Sequence, residues 1–219
     1  MALITSGDGS HTLFSERYGV TYHSRFGAIT ESAHVFVAAG LRHKAAVQRD
    51  IAVLEAGFGT GLNAFMTWLE AERRNLNVNY LGLEIAPIGE TEAKALNYAE
   101  ALGVAERSDD FGALHRLDWG IPHALSEHFT FEKQATPIQA FEADAVFDVV
   151  YFDAFAPQAQ PELWELPVFE RFYRALKPEG LLVTYCAQGE FKRRLKQAGF
   201  AVERLQGPPG KREMTRALK

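Results

Sequence analysis

Three glycines at alternate positions, Gly57, Gly59 and Gly61, stand in the run VLEAGFGTGLNAF, between Glu55 and Asn63. Glycines so spaced let the backbone turn tightly and close on a ligand. A nucleoside triphosphate asks such a loop to end in Gly-Lys-Ser/Thr, so that lysine and hydroxyl meet phosphate and Mg²⁺. Here Gly61 is followed by Leu62 and Asn63. A dinucleotide asks for G-x-G-x-x-G, with its pyrophosphate at a helix N-terminus. The spacing here is G-x-G-x-G, behind an acid. A carboxylate at Glu55 would repel a pyrophosphate and suit an ammonium or sulfonium group. That favours S-adenosylmethionine, which carries an amine, a positive sulfur and no phosphate.

Two further acids fall where such a ligand needs them. Glu84 ends NYLGLEI, 23 residues after Gly61. A carboxylate at the tip of a second strand accepts hydrogen bonds from both ribose hydroxyls, although NAD would use the same acid. The strand FDVVYFDAFAP delivers Asp153 to the carboxyl edge of a sheet, with Phe155 and Pro157 following in a stiff apolar turn. An acid beside a sulfonium can hold a nucleophile in line with the methyl and accept its proton. An amine attacks only as its free base, so Asp153 is the candidate catalytic residue. The plainer alternatives are a strand-end cap, or an acid that holds the cofactor only.

The frame for these residues is strand–helix alternation. IAVLEAG, NVNYLGLEI, FTFEKQA, FDVVYFDAF and LLVTYC read as buried strands. LNAFMTWLEAERR, IGETEAKALNYAEAL, LPVFERFYRALKPEG and GEFKRRLKQAGF read as helices, and SDDFGALHRLDWGIPHALSEHF as a helix with ragged ends. This order implies a mostly parallel α/β sheet covered on both faces. Residues 200–206 and 213–218, joined by GPPGKR, form a closing antiparallel hairpin, so the sheet is that of a Rossmann-like S-adenosylmethionine-dependent methyltransferase over residues 51–219. Residues 1–50 read as a small β extension on the same domain, with HTLFSERYGVTYHS and AITESAHVFVAAGL as short antiparallel strands.

The 219 residues, 47% hydrophobic and 23% charged, suit one globular domain. No apolar run reaches the roughly 18 residues of a membrane span, and MALITSGDGSHTLF has no signal-peptide pattern, so the expected location is cytoplasmic. One cysteine, Cys186, excludes an internal disulfide and reads as a core residue. The scattered histidines, His123 and His128 among them, lack ligand spacing, and no metal is expected. Net charge is −5, yet residues 192–219 hold nine basic residues against two acids, a local +7 that leaves −12 on the rest. A basic end on an acidic body can attract a polyanion, or can simply be solvated helix and strand faces.

VLEAGFGTGLNAF, NYLGLEI, VVYFDAFAPQAQPELWELPVFERFYRALKPEGLLVTYCAQG and FKRRLKQAGFAVERLQGPPGKREM resemble, in order and spacing, the methyltransferase domain of the MnmC family of tRNA wobble-uridine enzymes, most closely its stand-alone MnmD form. YHSRFGAITESAHVF looks like that family too. The resemblance implies methyl transfer from S-adenosyl-L-methionine to the amine of 5-aminomethyl-2-thiouridine, giving 5-methylaminomethyl-2-thiouridine. It assigns Gly57, Gly59, Gly61 and Asn63 to the cofactor turn, Glu84 to the ribose and Asp153 to the transfer centre. It also assigns Tyr22, Ser24 and Glu31 to a segment folded over the cofactor. Phe155 and Pro157 would meet the nucleobase, and Lys192, Arg193, Arg194, Lys211 and Arg212 the anticodon stem-loop. No second glycine fingerprint for a flavin oxidase domain occurs in the chain, which implies a substrate already bearing the aminomethyl group. The family's acid after the third strand is missing from QATPIQAF, so adenine would rely on backbone at 135–138 or on Thr136. Rival readings are a methyltransferase for a small-molecule amine, an NAD-dependent oxidoreductase, and a non-catalytic RNA-binding protein.

Overall fold

In the computed structural model, which describes residues 1–219, the apolar run after Asp50 forms β4 (Asp50–Ala56) at the middle of an eight-stranded sheet. It pairs in parallel with β5 (Asn77–Leu83) on one side and β8 (Phe147–Phe152) on the other. Every residue of β8 is buried, the pattern of a strand covered on both faces. Outward from β5 come β7 (Phe129–Gln134) and the antiparallel β6 (His123–Ser126). Outward from β8 come β9 (Leu176–Thr184), then β11 (Glu213–Leu218) and β10 (Ala201–Gln206), the expected antiparallel hairpin. The chain builds from β4 towards β7 and then returns to the other side of β4. Strand order therefore reverses between β4 and β8, and the carboxyl ends of these parallel strands flank a crevice suited to a ligand.

Helices cover both faces. α3 (Leu62–Arg74) and α6 (Ser108–Arg116) pack Phe65, Trp68, Phe111 and Leu114 onto one side. α7 (Leu166–Ala175) and α8 (Gly189–Gln197) pack Phe169, Phe172, Phe191 and Leu195 onto the other. No helix is long and apolar enough to cross a membrane.

The N-terminal strands β1 (Ala2–Thr5), β2 (His11–Ser15) and β3 (Val20–Thr21) form a separate small sheet. The strand expected in AITESAHVFVAAGL is instead helical. α1 (Ala28–Ser32) runs into a π-helix over Ala33–Arg42 and then α2 (His43–Ala45). Its β-branched and aromatic residues suggested strand, but Ala28, Glu31, Ser32, Val35 and Phe36 are buried at helical spacing. Gly40 lets this helix approach the sheet: a Cβ there would lie 3.0 Å from both Tyr151 and Val183. The helix expected across IGETEAKALNYAEAL is broken into α4 (Glu90–Lys94) and α5 (Tyr98–Ala101). Asn97, at the break, accepts from the His11 amide at 2.7 Å and donates to the Gly9 carbonyl at 3.0 Å. Tying down the small sheet overrides local helix propensity there. Residues 117–126, read as the frayed end of a helix, contain β6.

Candidate active site

The glycine turn leaves β4 with φ of 96°, 51° and 77° at Gly57, Gly59 and Gly61, all in the left-handed region where a side chain is strained. Gly57 has a second constraint. A Cβ there would lie 2.8 Å from the Asp153 carbonyl oxygen, so the turn rests directly against the end of β8. At Gly59 a Cβ would lie 3.1 Å from the Tyr22 ring. The Gly59 amide donates to Glu84 Oε2 at 2.9 Å, and the Ile85 and Ala86 amides donate to Oε1 at 2.9 and 2.7 Å. Glu84 thus knits the turn to the β5 tip while still facing the cleft.

Asn63, on the first turn of α3, joins the two strands. Its Nδ2 donates to Glu55 Oε1 and to Asp153 Oδ2, each at 2.8 Å, and its Oδ1 accepts from the Ser32 hydroxyl. Glu55 does not form the cleft wall expected of it. It is fully buried behind Asn63, and burial together with the Asp153 charge pushes its carboxyl well above the usual range. Oε2 has no hydrogen-bond partner, and neither does the buried Tyr80 hydroxyl. Burial therefore favours the protonated form of Glu55, which serves as an internal prop behind Asn63. Its position on β4 is still inside the sheet, one residue short of the edge. Negative charge on the cleft comes instead from Glu84, Glu162 and ionised Asp153.

Asp153 is partly open to the cleft yet deeply surrounded by protein. Burial and the neighbouring Glu31 charge raise its carboxyl from 3.8 to about 7, against Asn63 and Lys211, which lower it. It therefore exchanges a proton near neutrality, as a general base at physiological pH must.

The cleft encloses about 970 Å³, open solvent at its mouth included. Tyr22, Asn63, Glu84, Thr136, Asp153 and Phe155 all line it, beside Gly57 and Gly59. The Phe155 ring packs on Tyr18 and Tyr22, with centroids 4.8 and 4.9 Å apart. Burial and Glu84 hold the Tyr22 phenol up at about 12, so it stays a neutral donor. A glycine turn bare of side chains, a ribose-directed carboxylate, aromatic walls and acidic charge fit S-adenosyl-L-methionine and disfavour a pyrophosphate.

Other expected residues lie elsewhere. Ser24 and Glu31 do not line the cleft. The Ser24 amide donates to Glu31 Oε2 at 2.9 Å, and Glu31 pairs with Lys211. Pro157 borders a second, shallower pocket with Tyr185, Lys211 and Arg212. The basic cluster on α8 is largely neutralised from within. Lys192 pairs with Glu213 at 2.9 Å, Arg193 with Glu190, and Arg194 with Glu165 at 3.4 Å while donating to the Trp164 carbonyl at 2.7 Å. Arg212 is exposed without an ion pair. Sequence reasoning missed Arg17, Tyr18, His23, Gln139 and Gln160 on the cleft. His23, Gln139 and Gln160 lie in the quoted runs YHSRFGAITESAHVF, QATPIQAF and VVYFDAFAPQAQPELW, but their types gave no sign of a role there, and only the aromatic run of the N-terminal segment hinted at Tyr18.

Similarity to known proteins agrees with this geometry. A family described as S-adenosyl-L-methionine-dependent methyltransferase matches residues 130–219. The chain is 32% identical, over 93% of its length, to the tRNA 5-methylaminomethyl-2-thiouridine biosynthesis bifunctional protein MnmC of Burkholderia multivorans. It is 34% identical, over 92%, to the protein of that name in Cupriavidus necator. The chain spans about a third of the length of these relatives, 33% and 32%. The crystal structure of MNMC2 from Aquifex aeolicus superposes with a TM-score of 0.77 at 26% identity, covering 98% of this chain and 68% of that one. With the glycine turn, the reversal of strand order and Glu84 in place, these likenesses show the fold of an S-adenosyl-L-methionine-dependent methyltransferase, homologous to the methyltransferase domain of MnmC.

Proposed function

We propose that the protein methylates the primary amine of 5-aminomethyl-2-thiouridine at the tRNA wobble position, giving 5-methylaminomethyl-2-thiouridine. The observation that carries this reading is Asp153, a carboxyl balanced near neutrality, abutting the glycine turn of a methyl-donor cleft. The names of the MnmC relatives supply the substrate.

S-adenosyl-L-methionine supplies an electrophilic methyl group on a sulfonium. Gly57 and Gly59, bare of side chains on the cleft, would leave room for its methionine end beside Asn63 and Tyr22, while Gly61 shapes the turn from behind. Glu84, having accepted three amides, keeps one acceptor site, on Oε2, for a ribose hydroxyl. Thr136 and Gln139 replace the acid missing after β7, and the Gln139 amide offers both a donor and an acceptor to adenine. Asp153 draws in the substrate's ammonium, takes its proton and orients the free amine towards the methyl. Phe155 offers a ring face to a base flipped out of the anticodon loop, with Pro157 beyond it. Residues 1–50 act as a cap on the methyltransferase body, and the enzyme works in the cytoplasm on the anticodon stem-loop.

A second reading, methylation of a small-molecule amine, is favoured by the internal pairing of Lys192, Arg193 and Arg194, which leaves fewer cations for phosphate. Methyl incorporation into tRNA lacking the modification, against free 5-aminomethyl-2-thiouridine, separates the two. The tRNA reading predicts strong preference for tRNA that falls with added salt. Equal rates on both, insensitive to salt, would favour the small-molecule reading.

A further inference from the structure

Glu31 and Lys211 lie outside the cleft, yet they meet beside its acid. Glu31 is buried on α1, and one of its oxygens accepts from the Ser24 amide at 2.9 Å. The other accepts from Lys211 Nζ, in the loop joining β10 to β11. That ammonium also sits 3.9 Å from the centroid of the Tyr185 ring, within cation–π range. The Tyr185 hydroxyl donates to the Ala154 carbonyl at 2.8 Å, one residue from Asp153. The loop is tightly fixed: a Cβ at Gly207 would lie 2.4 Å from the Lys211 carbonyl oxygen, and one at Gly210 would lie 2.2 Å from the Phe26 ring.

We propose that Glu31 and Lys211 are positioning residues for the transfer step, a bridge that clamps the N-terminal cap to the C-terminal hairpin and fixes the charge presented to Asp153. The proposal rests on the reading of Asp153 given above. The pair is a poor source of stability, because desolvation of buried Glu31 cancels much of the attraction and Lys211 stays 31% exposed. Its place next to the reacting carboxyl gives it a different use. The groups facing Asp153 are Glu31 from α1, Asn63 from α3, Glu55 from β4, Tyr80 from β5, Tyr98 from α5, Tyr185 after β9 and Lys211 from the hairpin loop. The tyrosines on β5, α5 and just after β9 stay neutral at pH 7, and burial favours the protonated form of Glu55 on β4. Glu31 and Lys211 are thus the pair whose opposite charges set the acid: Glu31 holds its proton on and Lys211 draws it off.

The test is an NMR titration of the Asp153 carboxyl carbon in the cofactor-free protein, alongside the pH profile of kcat. Lys211→Met leaves Glu31 uncompensated and should move the midpoint up by about one pH unit; Glu31→Gln should move it down by a similar amount. The acid limb of kcat should follow each, and Lys211→Arg should restore the wild-type midpoint. Unfolding temperature and S-adenosylhomocysteine binding report whether each variant is folded, and Lys211→Gln serves if the methionine variant is not. Midpoints that stay put, or move in the same direction in both variants, would overturn the proposal. Turnover surviving in Asp153→Asn would overturn the role of Asp153 itself, a separate outcome that leaves the NMR arm readable.

Discussion

Replacing Asp153 with asparagine should stop turnover and also stabilise the fold, by an amount that depends on pH. The carboxyl titrates at 3.8 when unperturbed and at about 7 in the folded protein, so the folded state binds the proton more tightly. Its stabilising contribution is complete below about pH 4 and is lost as pH rises through about 7. Between pH 5 and pH 8 the loss amounts to about 3 kcal/mol at about 1.4 kcal/mol per pH unit. Water reaching the group from the cleft reduces this to about half. Asparagine keeps the shape and can still accept from Asn63, but it never has to ionise. Urea denaturation of both proteins at pH 5 and pH 8 reads the effect directly. The variant should gain about 1.5–3 kcal/mol over wild type on going from the lower to the higher pH. A stability difference that does not change with pH, or that shrinks towards pH 8, would refute the claim that Asp153 is held near neutrality by burial and Glu31.

Three further outcomes follow from the geometry. Gly57→Ala places a methyl group 2.8 Å from the Asp153 carbonyl at a φ of 96°; it should cost about 1–3 kcal/mol and weaken S-adenosylhomocysteine binding in calorimetry. Asn63→Leu removes the one hydrogen bond to buried Glu55 and the donor that lowers Asp153. It should cost about 1–3 kcal/mol in denaturant unfolding and move the acid limb of kcat to higher pH. Lys192→Ala breaks a bridge to Glu213 and should leave the salt dependence of tRNA binding unchanged, whereas Arg212→Ala should flatten its logarithmic slope by about 0.9, one phosphate contact.

How far the sequence reaches differs from element to element. The glycine turn, α3 and the strands bearing Glu84 and Asp153 were readable because apolar runs and glycines state their geometry locally. The helix at Ala28–Ala45 was not, because Val35, Phe36 and Val37 favour strand by type and only burial against the sheet shows their spacing. The break at Asn97 depends on contacts with residues 9 and 11, some 86 positions away. In the site, Asp153 and Glu84 were located by strand ends. Glu55 reads as a charged cleft wall, but burial disfavours its charge, since motif spacing says which residues are near a ligand but not which side of the backbone faces it. The basic run at 192–194 read as a polyanion patch because its acidic partners, Glu165 and Glu213, lie outside the run.

The most direct test of the account is a single-turnover reaction with isotopically labelled S-adenosyl-L-methionine and tRNA carrying 5-aminomethyl-2-thiouridine, digested to nucleosides and analysed by mass. The account predicts label on the aminomethyl nitrogen of the wobble nucleoside with wild-type protein, and none with Asp153→Asn although that variant still binds S-adenosylhomocysteine. Label on another nucleoside, or unimpaired transfer by the variant, would contradict it.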